Sequence, residues 1–311
     1  MSESTNHFLK PSLSLDEQIA LLENRGLIIE NPQRLHRYLR FIGYYRLSGY
    51  FRYFQIKDDP LNRFQPNTTF DQTLRCYIFD RKLRLMIMDA VERIEVAFRT
   101  IVSNWMSQKF GAHWYLDKCR FLPNFDHEDF IKKIQKETGY LNQNRRNEFC
   151  SHYFKTYSHP NLPPSWMVAE LLSIGTWSSV YNHLPYSEKK PISDTFEIPS
   201  GVLVSWMHAI TYLRNLCAHH MRIWNRLFTV KPAFAKKFQT QMRDNHRFYA
   251  YAVILNVLLR IIADGSKWHQ RLYDLLQDYD DLPKNEMGFP ENWQQDPFWR
   301  IGTHNGNNKT K

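Results

Sequence analysis

The sequence predicts an all-α fold, and three observations carry that prediction. Glycine (11) and proline (15) are scarce in a chain of 311 residues, too few turn formers for a many-stranded sandwich or barrel. No stretch alternates apolar and polar residues as a half-buried strand does. From Thr69 to Lys109 there is neither glycine nor proline, which predicts one long helix of about 40 residues.

The elements follow in order. Ser14 to Glu17 is a capping box, opening a helix that Gly26 closes. Asn31-Pro32 caps a second helix, with proline at its first position. An aromatic segment runs from Tyr44 to Ile56. The loop Lys57–Asn67, with Asp58-Asp59-Pro60 and Pro66, is the expected internal boundary, and the long helix follows it. Asp126–Asn142 and Glu148–Tyr157 read as helices, and Pro163-Pro164 starts another through His183 with Gly175 inside it. Pro199-Ser200 opens a basic helix expected to reach Phe228. Asn245–Ala263 and Lys267–Asp278 complete the set. The organisation is then an N-terminal helical region (8–60), a main helical domain (69–280), and a docked strap with a loose tail (283–311).

With 43% hydrophobic residues the chain has ample material for a core and is not a disordered protein. Its cysteines (Cys76, Cys119, Cys150, Cys217) form no C-x-x-C pair, so neither a disulfide framework nor a thiolate zinc site is expected, and a reducing compartment is. The N-terminal residues lack the apolar core of a signal peptide. The longest apolar run, Tyr249 to Leu259, ends at Arg260, short of the roughly 20 residues a membrane span needs. A cytoplasmic protein without a membrane partner is the expectation.

The net charge of +10 is unevenly placed: residues 199–271 alone carry +9, together with five of the thirteen histidines. Such a local field attracts a polyanion, nucleic acid being the common one, or is a solvated basic face that aids solubility. On an ideal helix the basic segment splits into two faces. Trp206, Ala209, Ile210, Leu213, Leu216, Cys217, Ile223, Trp224, Leu227 and Phe228 form the core face. Met207, His208, Thr211, Arg214, Asn215, Ala218, His219, Arg222, Asn225 and Arg226 form a stripe without lysine or carboxylate. His220 falls in the apolar arc and is expected to be packed. Imidazole beside guanidinium suits phosphodiester chemistry, because histidine moves a proton near neutral pH while arginine grips phosphate oxygens. The RNA 2′-OH supplies the nucleophile. On the long helix, Glu92, Glu95 and Arg99 are bracketed by Val91, Val102, Leu85 and Val96. They read as a partly buried cluster that orients the arginine and histidine of the basic helix, or as a simple Glu95–Arg99 surface pair.

The segment Arg214-Asn215-Leu216-Cys217-Ala218-His219 is similar to the R-x4-6-H motif of HEPN domains. Around it, KPSLSLDEQI at Lys10–Ile19, IGYYRLSGYF at Ile42–Phe51, ERIEVAFRT at Glu92–Thr100 and PPSWM at Pro163–Met167 occur in order. SIGT at Ser173–Thr176, RNLCAHHMRIWNR at Arg214–Arg226 and FPENW at Phe289–Trp293 continue the series. Over roughly residues 8–300 the chain resembles the Abi family of bacterial abortive-infection proteins (AbiD and AbiF type).

That resemblance implies an α-helical HEPN ribonuclease of phage defence, metal-independent and without cofactor. It places Arg214 and His219 in the motif's two fixed positions and Asn215 in its polar second position. Because HEPN sites combine two motifs and this chain has one, it implies a homodimer. For some members it implies a toxin restrained by a small structured RNA. His208, Arg222, Asn225 and Arg226 are the expected RNA contacts. A non-catalytic RNA- or partner-binding module is the competing reading. A metal hydrolase is disfavoured, since no H-E-x-x-H occurs and the basic helix offers no carboxylate ligand.

Overall fold

The computed structural model describes residues 11–299, and those residues are all-helical, with twelve α-helices and no strand. The two isolated β-bridges, Ile28 with Thr69 and Gln55 with Phe64, do not extend into ladders. The expected loose tail lies, from residue 300 onward, outside the described residues. The chain divides into two compact units, Met1–Lys82 and Leu83–Lys311.

In the first unit, α1 (Leu15–Asn24) starts on the capping box read from the sequence, with Ser14 Oγ accepting from the Glu17 N–H and Glu17 Oε2 from the Ser14 N–H. Helix α2 (Pro32–Phe41) carries its Asn31 cap on the Arg34 N–H. Helix α3 (Tyr44–Phe51) and the first turns of α4 (Phe70–Phe110) complete the unit. Leu22, Leu35, Leu39, Leu47, Phe51, Phe64, Phe70 and Leu74 form its core. The loop 57–67 is not a linker. Phe64 is buried in that core and its N–H donates to Arg25 O at 2.7 Å, so the loop folds back and the division falls inside α4 instead.

Helix α4 is the long helix the sequence predicts, 41 residues. A reciprocal pair starts it: the Thr69 N–H donates to Gln72 Oε1 and the Gln72 N–H to Thr69 Oγ1. In the second unit its stripe Leu83, Ile87, Ala90, Ile94, Phe98, Val102 and Met106 is buried. Then come α5 (His127–Glu137), α6 (Glu148–Thr156), α7 (Ser165–Leu171), α8 (Ile174–Asn182), α9 (Tyr186–Thr195), α10 (Ser200–Ala218), α11 (Phe248–Ile262) and α12 (Trp268–Asp278). Helix α10 packs on α8, α9 and α11. Every residue of α11 from Phe248 to Leu259 is buried, so the apolar run seen in the sequence is the centre of this unit. Residues 283–299 dock as a strap, with Phe289, Trp293 and Trp299 buried and Trp299 Nε1 donating to Tyr249 Oη at 2.9 Å.

Four boundaries differ from expectation, the first being the end of α5, which stops at Glu137 ahead of Gly139 rather than reaching Asn142. The helix predicted from Pro163 to His183 is broken at Leu172 and Ser173, where Leu172 is extended and Ser173 caps α8. Helix α9 was not foreseen because Pro191 lies inside it; buried Glu188, Ile192 and Ser193 hold it in place. The basic helix ends at Ala218 rather than Phe228. Its end is a Schellman turn: the Met221 N–H donates to Leu216 O, the His220 N–H to Cys217 O, and His220 takes φ +56°.

Candidate functional site

The last turn of α10 and the residue that caps it hold the three motif side chains. Leu213, Leu216 and Cys217 are buried and fix the helix against the core, which turns Arg214, Asn215 and His219 to the other side. Arg214 is half-buried, whereas Asn215 and His219 are exposed. Arg214 Nη1 donates to Asn215 Oδ1 at 3.3 Å. A guanidinium has only donors, so the amide oxygen must face it, which leaves the Asn215 NH₂ to donate elsewhere. Arg214 has no carboxylate partner among the described residues, and neither ring nitrogen of His219 is engaged there. The cluster therefore offers a guanidinium, an amide donor and an imidazole, with no anion competing for them.

The other expected contacts separate into two groups. His208 is exposed on α10, two to three turns before the cluster. Thr211 is half-buried, and Met207, placed in the polar stripe by helical spacing, is fully buried. Arg222, Asn225 and Arg226 are not on a helix, because the Schellman turn redirects the chain before them; all three are half-buried in the loop that follows α10. That loop is pinned by buried Ile223, Trp224 and Phe228, while Leu227, expected in the core face, is 62% exposed. His220 is also a correction: the turn that puts it at positive φ exposes it, so it is not a packed histidine.

The loop holds polar atoms in need of partners. Arg226 Nε and Asn225 Oδ1 are buried without a hydrogen bond among the described residues. Arg226 Nη1 reaches Arg222 O at 3.5 Å. Burial alone would raise the Tyr212 phenol, but hydrogen bonding with Thr229 and the nearby Arg226 guanidinium outweigh it and hold it below its usual value. Tyr212 went unremarked in the sequence; its only signal is a hydroxyl two residues before Arg214.

The long helix contributes differently from expectation. Glu95 Oε1 accepts from the Ile174 N–H at 2.8 Å, capping the first turn of α8. Arg99 Nη2 pairs with Glu170 Oε2 at 2.5 Å. Glu92 is exposed. The bonds of Glu95 and Arg99 are thus spent on the junction of α7 and α8, not on Arg214 or His219, and not on each other. What α4 sends to the end of α10 is Arg84, 6% exposed, whose Nη1 lies 3.5 Å from Met221 O.

Among the described residues no three histidine, cysteine or acidic side chains gather as metal ligands would, and no helix is long and apolar enough to cross a membrane. An all-helical protein carrying an arginine–asparagine–histidine cluster at a helix end is the class that fold and site define. The chain belongs to the Abi-like protein family, whose model matches residues 37–225, a span that includes all of α10 and the cluster. No curated protein and no solved structure matches the chain.

Proposed function

We propose that this chain is a metal-independent endoribonuclease of the HEPN type, acting in the bacterial cytoplasm in abortive-infection defence. The observation that supports it is the convergence of Arg214, Asn215 and the unengaged His219 at the end of α10, within the stretch that carries most of the chain's net positive charge. His219 would take the proton of an RNA 2′-OH or deliver one to the departing 5′-oxygen. The 2′-oxygen attacks phosphorus, the P–O5′ bond breaks, and the products are a 2′,3′-cyclic phosphate and a 5′-OH. Arg214 would balance the charge growing on the phosphoryl oxygens, and the Asn215 NH₂ would hold one of them. One motif per chain calls for a second copy, so the working form is a homodimer with both clusters at a two-fold axis. His208, Arg222, Asn225 and Arg226 would carry the flanking phosphates, and a small structured RNA could hold the enzyme in check.

The test is cleavage of mixed RNA in EDTA by the wild type, Arg214→Ala and His219→Ala. Loss of about 10²-fold or more in either variant is expected, with 2′-deoxy substrate resistant. Equal cleavage of 2′-deoxy substrate would refute the chemistry. Binding without turnover would leave the family's non-catalytic reading.

A further inference from the structure

The N-terminal unit contains a cavity that the proposed cleavage does not use. It measures about 750 Å³ and lies between α1 with the residues just before it, α3 and the turns that follow α3, within the range of small-ligand sites. Helix α3 lines it with Tyr45, Ser48 and Gly49, and Arg52, the residue that caps α3, continues the i, i+3, i+4, i+7 face, while Leu47, Tyr50 and Phe51 pack inward. Arg25, at the end of α1, closes the opposite side and donates to Tyr44 Oη at 2.7 Å. No acidic residue lines the cavity.

Four features of this cavity are unexplained by folding. Tyr45 is 92% exposed. Arg52 is exposed, and no hydrogen bond or ion pair engages its side chain among the described residues. Gln18 Oε1 is buried without a partner. Gly49 sits inside a helix, where glycine is disfavoured, yet a Cβ there would meet nothing within 4 Å; packing does not require it, and its effect is to keep the cavity floor flat.

We propose that this cavity is a nucleotide-binding site, separate from the α10 cluster. An exposed tyrosine ring is a platform for a planar base, since stacking on aromatic rings is indifferent to base identity. Arg25 and Arg52, without neighbouring carboxylates, supply the charge for a phosphate on that base. The same chemistry is offered by a free nucleotide and by one unit of a single-stranded RNA.

Full-length protein carrying His219→Ala, in EDTA, is titrated with 5′-AMP and with a fluorescein-labelled eight-nucleotide single-stranded RNA. The same RNA bearing 4-thiouridine is photocrosslinked and the adducts are mapped. Adducts within residues 44–52 are expected. Arg52→Ala, which removes no intramolecular bond, and Gly49→Trp, which fills the cavity, should each weaken binding at least fivefold, about the smallest loss expected for one stacked base. Binding of AMP identifies a free nucleotide as ligand, RNA binding with adducts at residues 44–52 but no binding of AMP identifies the polymer, and adducts confined to residues 208–226 overturn the proposal. Unchanged affinity for both probes in folded Arg52→Ala, or displacement by phosphotyrosine but not by nucleotide, overturns the proposal. Because His219 is already absent, failure of the cleavage chemistry does not enter this measurement.

Discussion

Glu95 distinguishes a scaffold role from a catalytic one. Its Oε1 accepts the Ile174 N–H at 2.8 Å, and Ser173 Oγ takes the Thr176 N–H, so two side chains divide the first orphan donors of α8. Replacing Glu95 with alanine leaves a half-buried backbone donor without that partner, at a cost of about 1–2 kcal/mol. Glutamine keeps the acceptor oxygen and gives up only the charge facing the helix N-terminus, about 0.3–1 kcal/mol. In a unit of this size each kcal/mol moves Tm by about 2–4 °C. Calorimetry should therefore place Glu95→Ala about 2–8 °C below the wild type and Glu95→Gln about 1–4 °C below it. Cleavage rates at a temperature where both remain folded should match the wild type. Normal stability with abolished cleavage in Glu95→Gln would refute the assignment and return Glu95 to the reacting groups.

The buried Glu188 carboxylate is tied to Lys109 Nζ at 2.7 Å and Trp105 Nε1 at 3.1 Å. Burial pushes its carboxyl up, but the hydrogen bonds from Lys109, Trp105 and Ser187 outweigh it and hold the group below its usual value. Its stabilisation is therefore present above the ordinary carboxylate range and lost as pH falls through the lowered folded value. Glu188→Gln should lower the urea midpoint at pH 7, and the gap from wild type should close on acidification; a gap that widens in acid would contradict the sign. Gly288 takes φ +83°, and a Cβ there would lie 2.6 Å from Arg247 Cβ. Gly288→Ala should cost about 2 kcal/mol or more and loosen the strap, read as faster exchange of its backbone amides. Unchanged exchange would show that the strap docks without that turn.

The sequence made legible the features that local chemistry decides. The Ser14 box, the Asn31-Pro32 cap and the uninterrupted α4 need no tertiary context, and all three are as expected. The end of α10 was not legible, because the left-handed position of its Schellman turn is filled by His220 rather than by glycine or asparagine. That one residue carried Arg222, Asn225 and Arg226 off the predicted stripe. Arg214, Asn215 and His219 stayed together because they precede the turn. Glu95 and Arg99 read as a partly buried cluster or as a surface pair, and their actual partners, Ile174 and Glu170, are 71 residues or more away in sequence and leave no local trace. The cavity of the first unit was invisible for the same reason: the i, i+3, i+4, i+7 face of α3 is short, and its far wall comes from α1.

Helix α11 follows α10 in the chain, yet it fills the space against which α10 packs. During synthesis the ribosome releases α10 after α8 and α9, on which it also packs, but before the α11 that completes its surroundings. The packing around α10 is complete only once residues 248–259 have emerged. The cluster at the end of α10 is therefore held in its final arrangement only late in translation. A nascent chain interrupted before α11 would present an incompletely covered α10 to chaperones and proteases instead of a finished cluster.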